Sequence, residues 1–270
     1  MNRRTTSLLT TSVAYLYLII CCAVLLLPFI VTLVRSVSVA QPDGTVAFSL
    51  APYSEIYQHF WPKVNTSLQI ALFTIVIDTV VGIPASYALT RYEFRGKKSL
   101  FAMLNGVWYV PGVCYAMALV LAYYFVYKFF LGFWGFVAAY SCGFLFLMLL
   151  TCMVAFRHFD PRYEEAALCL GAGRLRTFLH VTLPLIGPGV TAGILLTFVL
   201  SFNEFITALL LTGPARLMTA PLAVYSDIRM FGVRETVAAE ATVLQLISLM
   251  VVVLYLKFIG TRYLRGVVLI

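Results

Sequence analysis

The sequence predicts an all-α fold, a polytopic membrane bundle of six transmembrane helices. Of its 270 residues, 62% are hydrophobic and only 11% are charged, whereas a soluble domain has about 25% charged residues. The apolar runs are long and do not alternate with polar residues, as they would in the strands of an outer-membrane barrel. We therefore expect residues 1–270 to form one membrane domain.

Six runs are apolar over the roughly 20 residues that a helix needs to cross a bilayer. They cover residues 14–34, 68–89, 100–124, 133–156, 190–211 and 239–259. The first run follows Arg3 and Arg4, as in a signal peptide. At 21 residues, however, it is longer than the roughly 7–15-residue core of such a signal, so we expect it to be retained as the first helix.

Prolines and turn residues mark the ends and bends of these spans. The outer loop at 35–63 has a turn signal at 42–44. Pro84 and Pro111 are expected to kink their spans, either for packing or beside a solute pathway. The long outer loop at 212–234 is expected to lie along the outer surface or to re-enter the membrane in part.

The net charge of +8 is explained by membrane topology rather than by nucleic-acid binding. The loops after the second and fourth spans, together with both termini, hold 13 of the 19 Lys and Arg residues. The loops after the first, third and fifth spans hold the other 6. Because loops rich in Lys and Arg stay on the inner side, we expect both termini and the loop at 157–189 to be cytoplasmic.

The sequence does not indicate a disulfide or cysteine metal site, a phosphate-binding loop or a protease site. None of the six cysteines forms a CxxC pair, and five lie within spans, which is typical of cysteine used as a small apolar residue. Gly96-Lys97 lacks the phosphate-loop glycine five residues earlier, where Arg91 stands. An intramembrane protease is not favoured, since His59, His158 and His180 lie outside the spans or at their ends.

The loop at 157–189 is expected to form two short helices. Pro161 suits a first helical turn, where its missing N–H costs nothing. Glu164 and Glu165 lie in the same turn, near the positive end of the helix dipole. Two such helices either rest on lipid headgroups or dock onto a partner, and the residue types alone leave both alternatives open.

A glycine bend is expected between these helices. Gly171 and Gly173 can end the first helix in a left-handed cap. The second helix is predicted at 174–181, because Pro184 would block its simple continuation.

The spacing within this loop resembles the EAA loop of ABC-importer permeases. The family pattern is EAA, three residues, glycine, nine residues and I-x-L-P. Here the pattern is Glu165-Ala166-Ala167, Gly171 and Val181-Thr182-Leu183-Pro184, with valine in place of isoleucine. The resemblance extends from Asn65 to about Ile259 and includes RYEFRGK, FDP and TGP.

The resemblance implies a permease subunit of a type I ABC importer in the bacterial inner membrane, and not an enzyme. Expected partners are the lipid bilayer, a second permease that is a paralogue, an ABC ATPase dimer and an extracytoplasmic solute-binding protein. ATP and Mg²⁺ would bind to the ATPases, and this chain would hold no cofactor, metal or nucleic acid.

The EAA loop at 157–189 would place its helices in clefts of the ATPases and so couple ATP binding to the pore. The resemblance implies that Glu165 pairs with a basic group or a cap on the ATPase. It also implies that Gly171 permits the bend between the two helices. The full set expected at this interface is Glu164, Glu165, Ala166, Ala167, Gly171 and Ala172.

Polar residues within spans are costly and are therefore candidates for function. Asp78 lies near the middle of the second span, and Asn203 and Glu204 lie in the fifth. They are predicted to line a pathway suited to a cationic solute. The alternatives are a hydrogen bond from Asp78 to a neighbouring Ser or Thr, and a subunit contact through Asn203 and Glu204.

Three further polar residues lie at the predicted outer side. Tyr225 and Asp227 are candidates for the outer mouth of the pathway, with a plain loop role as the alternative. Glu240 begins the sixth span, and we expect it to be solvated.

Within the family, LSFNEF, APLAVYS and VRETVAAEATVL resemble spermidine/putrescine permeases. The expected solute is therefore a polyamine or another small organic cation. Such permeases often have paired acids where this chain has Asn203-Glu204, and residues 263–266 resemble sugar permeases. Aminoethylphosphonate, an opine or a sugar are thus alternatives. A secondary transporter is a remote alternative for the function. Such a transporter would need no ATPase-docking loop, and the inverted repeats expected of it are not seen in the sequence.

Overall fold

The computed structural model describes residues 3–40, 45–126, 132–215 and 217–257. The turn expected at 42–44, the end of the sixth span at 258–259 and the segment at 263–266 lie outside these residues.

Helices dominate the described residues, which confirms the all-α prediction. They are α1 (Arg3–Ser36), α2 (Ala51–Arg91), α3 (Lys97–Gly106), α4 (Gly112–Phe125), α5 (Phe133–His158), α6 (Arg162–Cys169), α7 (Arg174–Thr177), α8 (Leu183–Leu185), α9 (Gly187–Phe202), α10 (Ile206–Ala215), α11 (Ala220–Phe231) and α12 (Glu235–Tyr255). A 3-10 turn, Val107–Tyr109, follows α3, and a π-helical turn, Phe178–Thr182, joins α7 to α8. Two short strands, β1 (Ser38–Ala40) and β2 (Val46–Phe48), pair antiparallel.

Four helices are long and apolar enough to cross a membrane, and two bent helix pairs raise the number of spans to as many as six. One bent pair occupies the third predicted span, 100–124, which turns by 108° between Lys97–Tyr109 and Gly112–Phe125. Val110 (φ −77°, ψ 129°) and Pro111 (φ −53°, ψ 132°) are both extended. Since a proline disfavours helical geometry in the residue before it, Pro111 breaks the span rather than merely kinking it.

The prediction of one continuous helix at 190–211 is wrong, because α9 ends and α10 begins within it. Asn203 turns its side chain back, and its Nδ2 donates to the Val199 carbonyl at 2.8 Å. The Glu204 carboxylate then accepts the Thr207 backbone N–H at 2.9 Å. Side chains of this kind compete with the helical backbone bonds, so Asn203 and Glu204 end one helix and begin the next.

The second loop helix also runs further than the predicted 174–181. It continues through the π-helical turn into α8, and Pro184 lies in the first turn of α8, where a missing N–H is tolerated. The bend of 70° comes afterwards, between Arg174–Leu185 and Gly187–Phe202.

The described residues divide into two compact units. The first lies within Met1–Trp61 and Val224–Leu246, and the second within Pro62–Ala223 and Ile247–Ile270. In the first unit, the hydroxyls of Ser36 and Tyr53 lie 2.7 Å apart and join α1 to the start of α2.

In the second unit, α5 and α9 pack closely because α9 presents glycines to α5. Gly189 and Gly193 have the four-residue spacing that lets membrane helices approach. A Cβ at Gly193 would lie 2.6 Å from both Met148 Sδ and Thr151 Oγ1, and one at Gly189 would meet Ala155. The second unit therefore has a tightly fitted helix pair at its core.

Candidate functional site

The first helix of the loop at 157–189 begins as its sequence predicts. The Asp160 Oδ1 atom accepts the Arg162 backbone N–H at 3.0 Å, and Pro161 has helical geometry (φ −60°, ψ −22°) at the N-cap. Two glutamates occupy the first turn of α6, where the helix dipole stabilises negative charge.

Gly171 ends α6 in a left-handed conformation, with φ +86°. Its N–H donates to the Leu168 carbonyl at 2.9 Å, and the Ala172 N–H donates to the Ala167 carbonyl at 3.1 Å. This pair of bonds is a Schellman cap. Gly173 instead has extended backbone (φ −71°, ψ 154°), so Gly171 makes the predicted cap and Gly173 does not.

Glu164 faces the interior of the loop. Its Oε1 accepts a hydrogen bond from the Thr182 hydroxyl at 2.6 Å, and its Oε2 accepts one from Tyr87 at 3.4 Å. Thr182 is fully buried. Glu164 thus ties α6 to the second loop helix and to the end of α2.

Several residues of the loop are exposed, and we call three of them the docking face (Glu165, Ala166 and Leu170). Leu170 is 89% exposed, and Glu165 and Ala166 are exposed as well. Exposed apolar groups gathered with a charged one are typical of an interaction surface. Ala167 and Ala172 are partly exposed beside it.

Asp78 is fully buried on α2. The Ser141 hydroxyl of α5 lies beside its carboxylate, but no side chain among the described residues completes a hydrogen bond of normal geometry with either carboxylate oxygen. Burial of a carboxyl group without partners is costly, so a pathway role and a bond to Ser141 both stay predictions for Asp78.

Asn203 and Glu204 face different surroundings. The Asn203 Nδ2 also donates to Ser248 Oγ on α12 at 3.1 Å, so this amide joins two helices. The backbone carbonyl of Glu204 accepts a hydrogen bond from Tyr140 at 3.4 Å, and the Glu204 side chain lines a cavity.

This cavity, of about 180 Å³, lies where the third and fifth spans break. Aromatic side chains and one acid line it: Trp108, Tyr115, Tyr140, Phe144 and Glu204. Aromatic faces and a carboxylate are the groups that bind organic cations, and interrupted helices mark solute sites in transporters.

The sequence predicts Glu204 as a pathway residue but does not point to the aromatic residues around it. The available signal was Pro111, since a proline in a span frees backbone groups that a cavity can accommodate. Trp108 and Tyr115 flank that proline by three and four positions.

Tyr225 and Glu240 lie in the first compact unit. Tyr225 is on α11 with its side chain 39% exposed. The expectation that Glu240 is solvated is wrong: it is 1% exposed, and its Oε1 lies 3.2 Å from His59 Nε2. The reason is that α12 begins at Glu235, so Glu240 lies in the second turn of the helix rather than at its end.

Comparison with known families accounts for most of the chain. Residues 78–265 match the family described as binding-protein-dependent transport system inner membrane component. The chain belongs to this family. It is therefore an inner-membrane permease of an ABC importer, as the EAA-type spacing predicts.

Relatives of this permease include transporters of several named solutes. The spermidine/putrescine permease PotC of Escherichia coli (strain K12) is 34% identical over 187 residues, 69% of this chain and 70% of PotC. The putrescine permease PotI of the same strain is 30% identical over 67% of this chain and 66% of PotI. The molybdenum permease ModB of Haemophilus influenzae is 30% identical over 69% of this chain and 89% of ModB.

Solved structures show the same fold. A bacterial ABC transporter that imports the acidic polysaccharide alginate matches 97% of this permease and 99% of its own chain, with a TM-score of 0.71 and 17% identity. The methionine transporter MetNI, in an inward-facing form, matches with a TM-score of 0.60 over 79% of the permease and 98% of its own chain. The prediction of an ABC-importer membrane bundle is confirmed.

Proposed function

We propose that this permease forms part of the pathway by which an ABC importer takes up a polyamine or another small organic cation. The observation that carries the proposal is the Glu204 carboxylate in a cavity walled by aromatic rings. A protonated amine gains a charge-assisted hydrogen bond there and attraction to the ring faces. The resemblance to permeases named for spermidine and putrescine supports the same solute class.

Aminoethylphosphonate, an opine or a sugar are the alternative solutes. Among the described residues, one acid rather than a pair lines the cavity, and this observation favours a solute with fewer positive charges than a polyamine. An oxyanion is disfavoured, because Glu204 would repel it.

Replacement of Glu204 by glutamine tests this role. A glutamine oxygen can still accept the Thr207 N–H, so the start of α10 is kept while the charge is lost. A hydrogen bond to a charged group contributes about 1.5–3 kcal/mol, so we expect putrescine uptake at low concentration to fall roughly tenfold or more. The measurement is uptake of radiolabelled putrescine by the complete importer in proteoliposomes.

Glu93→Gln is the matched control, because Glu93 is an exposed glutamate whose Oε1 pairs with Lys97 Nζ at 2.7 Å on the surface. Uptake in this variant should equal that of the wild type. If Glu204→Gln also took up putrescine at the wild-type rate, the pathway role of Glu204 would be wrong.

The docking face is proposed to contact the ATPase dimer, with Glu165 meeting a basic group there. ATP and Mg²⁺ would bind to the ATPases, and the remaining partners would be a paralogous permease and an extracytoplasmic binding protein. Asp78, Asn203 and Tyr225 stay predictions as pathway residues, and both termini are proposed to be cytoplasmic. Asn203 has the strongest competing structural role, through its bond to Ser248.

A further inference from the structure

Three side chains of metal-binding types converge in the first compact unit. They are His59 of α2, Asp227 of α11 and Glu240 of α12. One ligand atom from each, an imidazole nitrogen or a carboxylate oxygen, lies within 4.8 Å of the other two. Residues far apart in the sequence are thus brought to one point by three helices.

We propose that His59, Asp227 and Glu240 bind a divalent transition-metal ion such as Zn²⁺. One imidazole and two carboxylates are ligands that such ions accept, and three protein ligands leave a position for water. A cavity of about 290 Å³ lined by the same three residues has room for that water. Hard ions such as Mg²⁺ prefer oxygen ligands alone, so the imidazole selects against them.

The charges around the cluster favour a divalent cation. Glu240 is almost completely buried, and a buried carboxylate is costly unless a positive charge compensates it. The cavity is also lined by Glu55 and Arg234. With a neutral imidazole, three carboxylates and one guanidinium leave a net charge of −2, which one divalent ion balances.

A positively charged imidazole at His59 would compensate the negative charge of the cavity less well than a divalent ion. A protonated His59 would still leave the cavity with a net negative charge, because Asp227 and Glu55 face it too. The Arg234 guanidinium lies over the Phe231 ring, 5.7 Å from its centroid, and this cation–π contact holds it at the ring face. The metal ion would join α2, α11 and α12 and so stabilise their arrangement, because it binds the folded state.

The test is a Zn²⁺ titration of the complete importer by calorimetry, after removal of bound metal with a chelator. His59→Ala is the variant, because the His59 side chain is 49% exposed and its loss leaves no cavity in the core. His158→Ala is the matched control, an exposed histidine outside the cluster. The wild type should bind one more Zn²⁺ per permease than His59→Ala does, and Mg²⁺ should not compete.

The size of the effect is set by the loss of a direct ligand. Loss of an outer-shell partner weakens metal binding by roughly 10–100-fold, so His59→Ala should weaken this site by at least that factor. His158→Ala should bind as the wild type does.

Two outcomes would overturn the proposal. One is equal Zn²⁺ binding in the wild type and His59→Ala. The other is protection from thermal unfolding by putrescine, in place of Zn²⁺, in the wild type but not in His59→Ala, which would assign the cluster to an amine.

Discussion

Gly171 makes the bend between the two loop helices through its backbone alone. No atom of the described residues lies within 4 Å of where its Cβ would be, yet its φ is +86°. A side chain in this conformation costs about 1–2 kcal/mol. We therefore expect Gly171→Ala to weaken the Schellman cap and to lower the ATPase activity that the loaded binding protein stimulates in the reconstituted importer.

Gly173→Ala is the control for this prediction. Gly173 has equally open surroundings but an ordinary φ of −71°, so alanine fits there without strain. Equal losses of stimulated ATPase activity in the two variants would mean that the backbone conformation of Gly171 is not the cause.

Glu164 and Glu165 are adjacent in the sequence, but their environments predict opposite effects of substitution. Glu164→Ala leaves the buried Thr182 hydroxyl without its acceptor, at a cost of about 1–3 kcal/mol, so hydrogen exchange of the loop should accelerate. Glu165→Ala removes an exposed carboxylate, so exchange in the free permease should not change while co-purification of the ATPase falls.

The measurements are hydrogen exchange by mass spectrometry and the yield of ATPase retained on the tagged permease. The account of the docking face would fail if Glu165→Ala retained the ATPase fully, or if Glu164→Ala exchanged no faster than the wild type.

The elements show where sequence patterns predict helices and where they miss breaks. Hydropathy correctly places the first, second and fourth predicted spans within α1, α2 and α5 and most of the sixth within α12, because an apolar run of that length has few other folds in a membrane. It does not detect the break after α9, since Asn203 and Glu204 end that helix by two side-chain hydrogen bonds within an otherwise apolar run. Hydropathy is an average over a whole apolar run, so two local hydrogen bonds do not change it.

The close packing of α5 and α9 can be tested by a substitution at Gly193. A methyl group at Gly193 would lie 2.6 Å from Met148 Sδ and from Thr151 Oγ1, so Gly193→Ala should push the helices apart. Overpacking of this kind costs about 1–3 kcal/mol. Thermal unfolding of the purified permease in detergent should therefore occur at a lower temperature.

Gly106→Ala is the comparison for that helix pair. Gly106 has helical geometry in α3, and a Cβ there would meet no atom of the described residues within 4 Å. The same added methyl group should leave the unfolding temperature unchanged or raise it slightly, since alanine favours helix. An unchanged unfolding temperature for Gly193→Ala would contradict the close packing of α5 and α9.

For the whole molecule, the fold class, the family and the glycine bend of the loop at 157–189 could be predicted from the sequence. The loop was accessible because its Glu165, Gly171 and Pro184 lie close together in the chain. The aromatic cavity and the His59 cluster were not, because their members come from segments that only the fold brings together. The spacing of nearby residues predicts individual helices and turns. A site built from several helices depends on how those helices pack, which no single segment of the sequence determines.

The central claim is that this permease works in an ATP-driven importer of a small organic cation. The most direct measurement is accumulation of radiolabelled putrescine by proteoliposomes that contain the complete importer and its binding protein. We predict accumulation that requires ATP on the ATPase side and that an excess of sugar does not inhibit. Accumulation without ATP, or accumulation of a sugar or phosphonate but not of putrescine, would contradict the account.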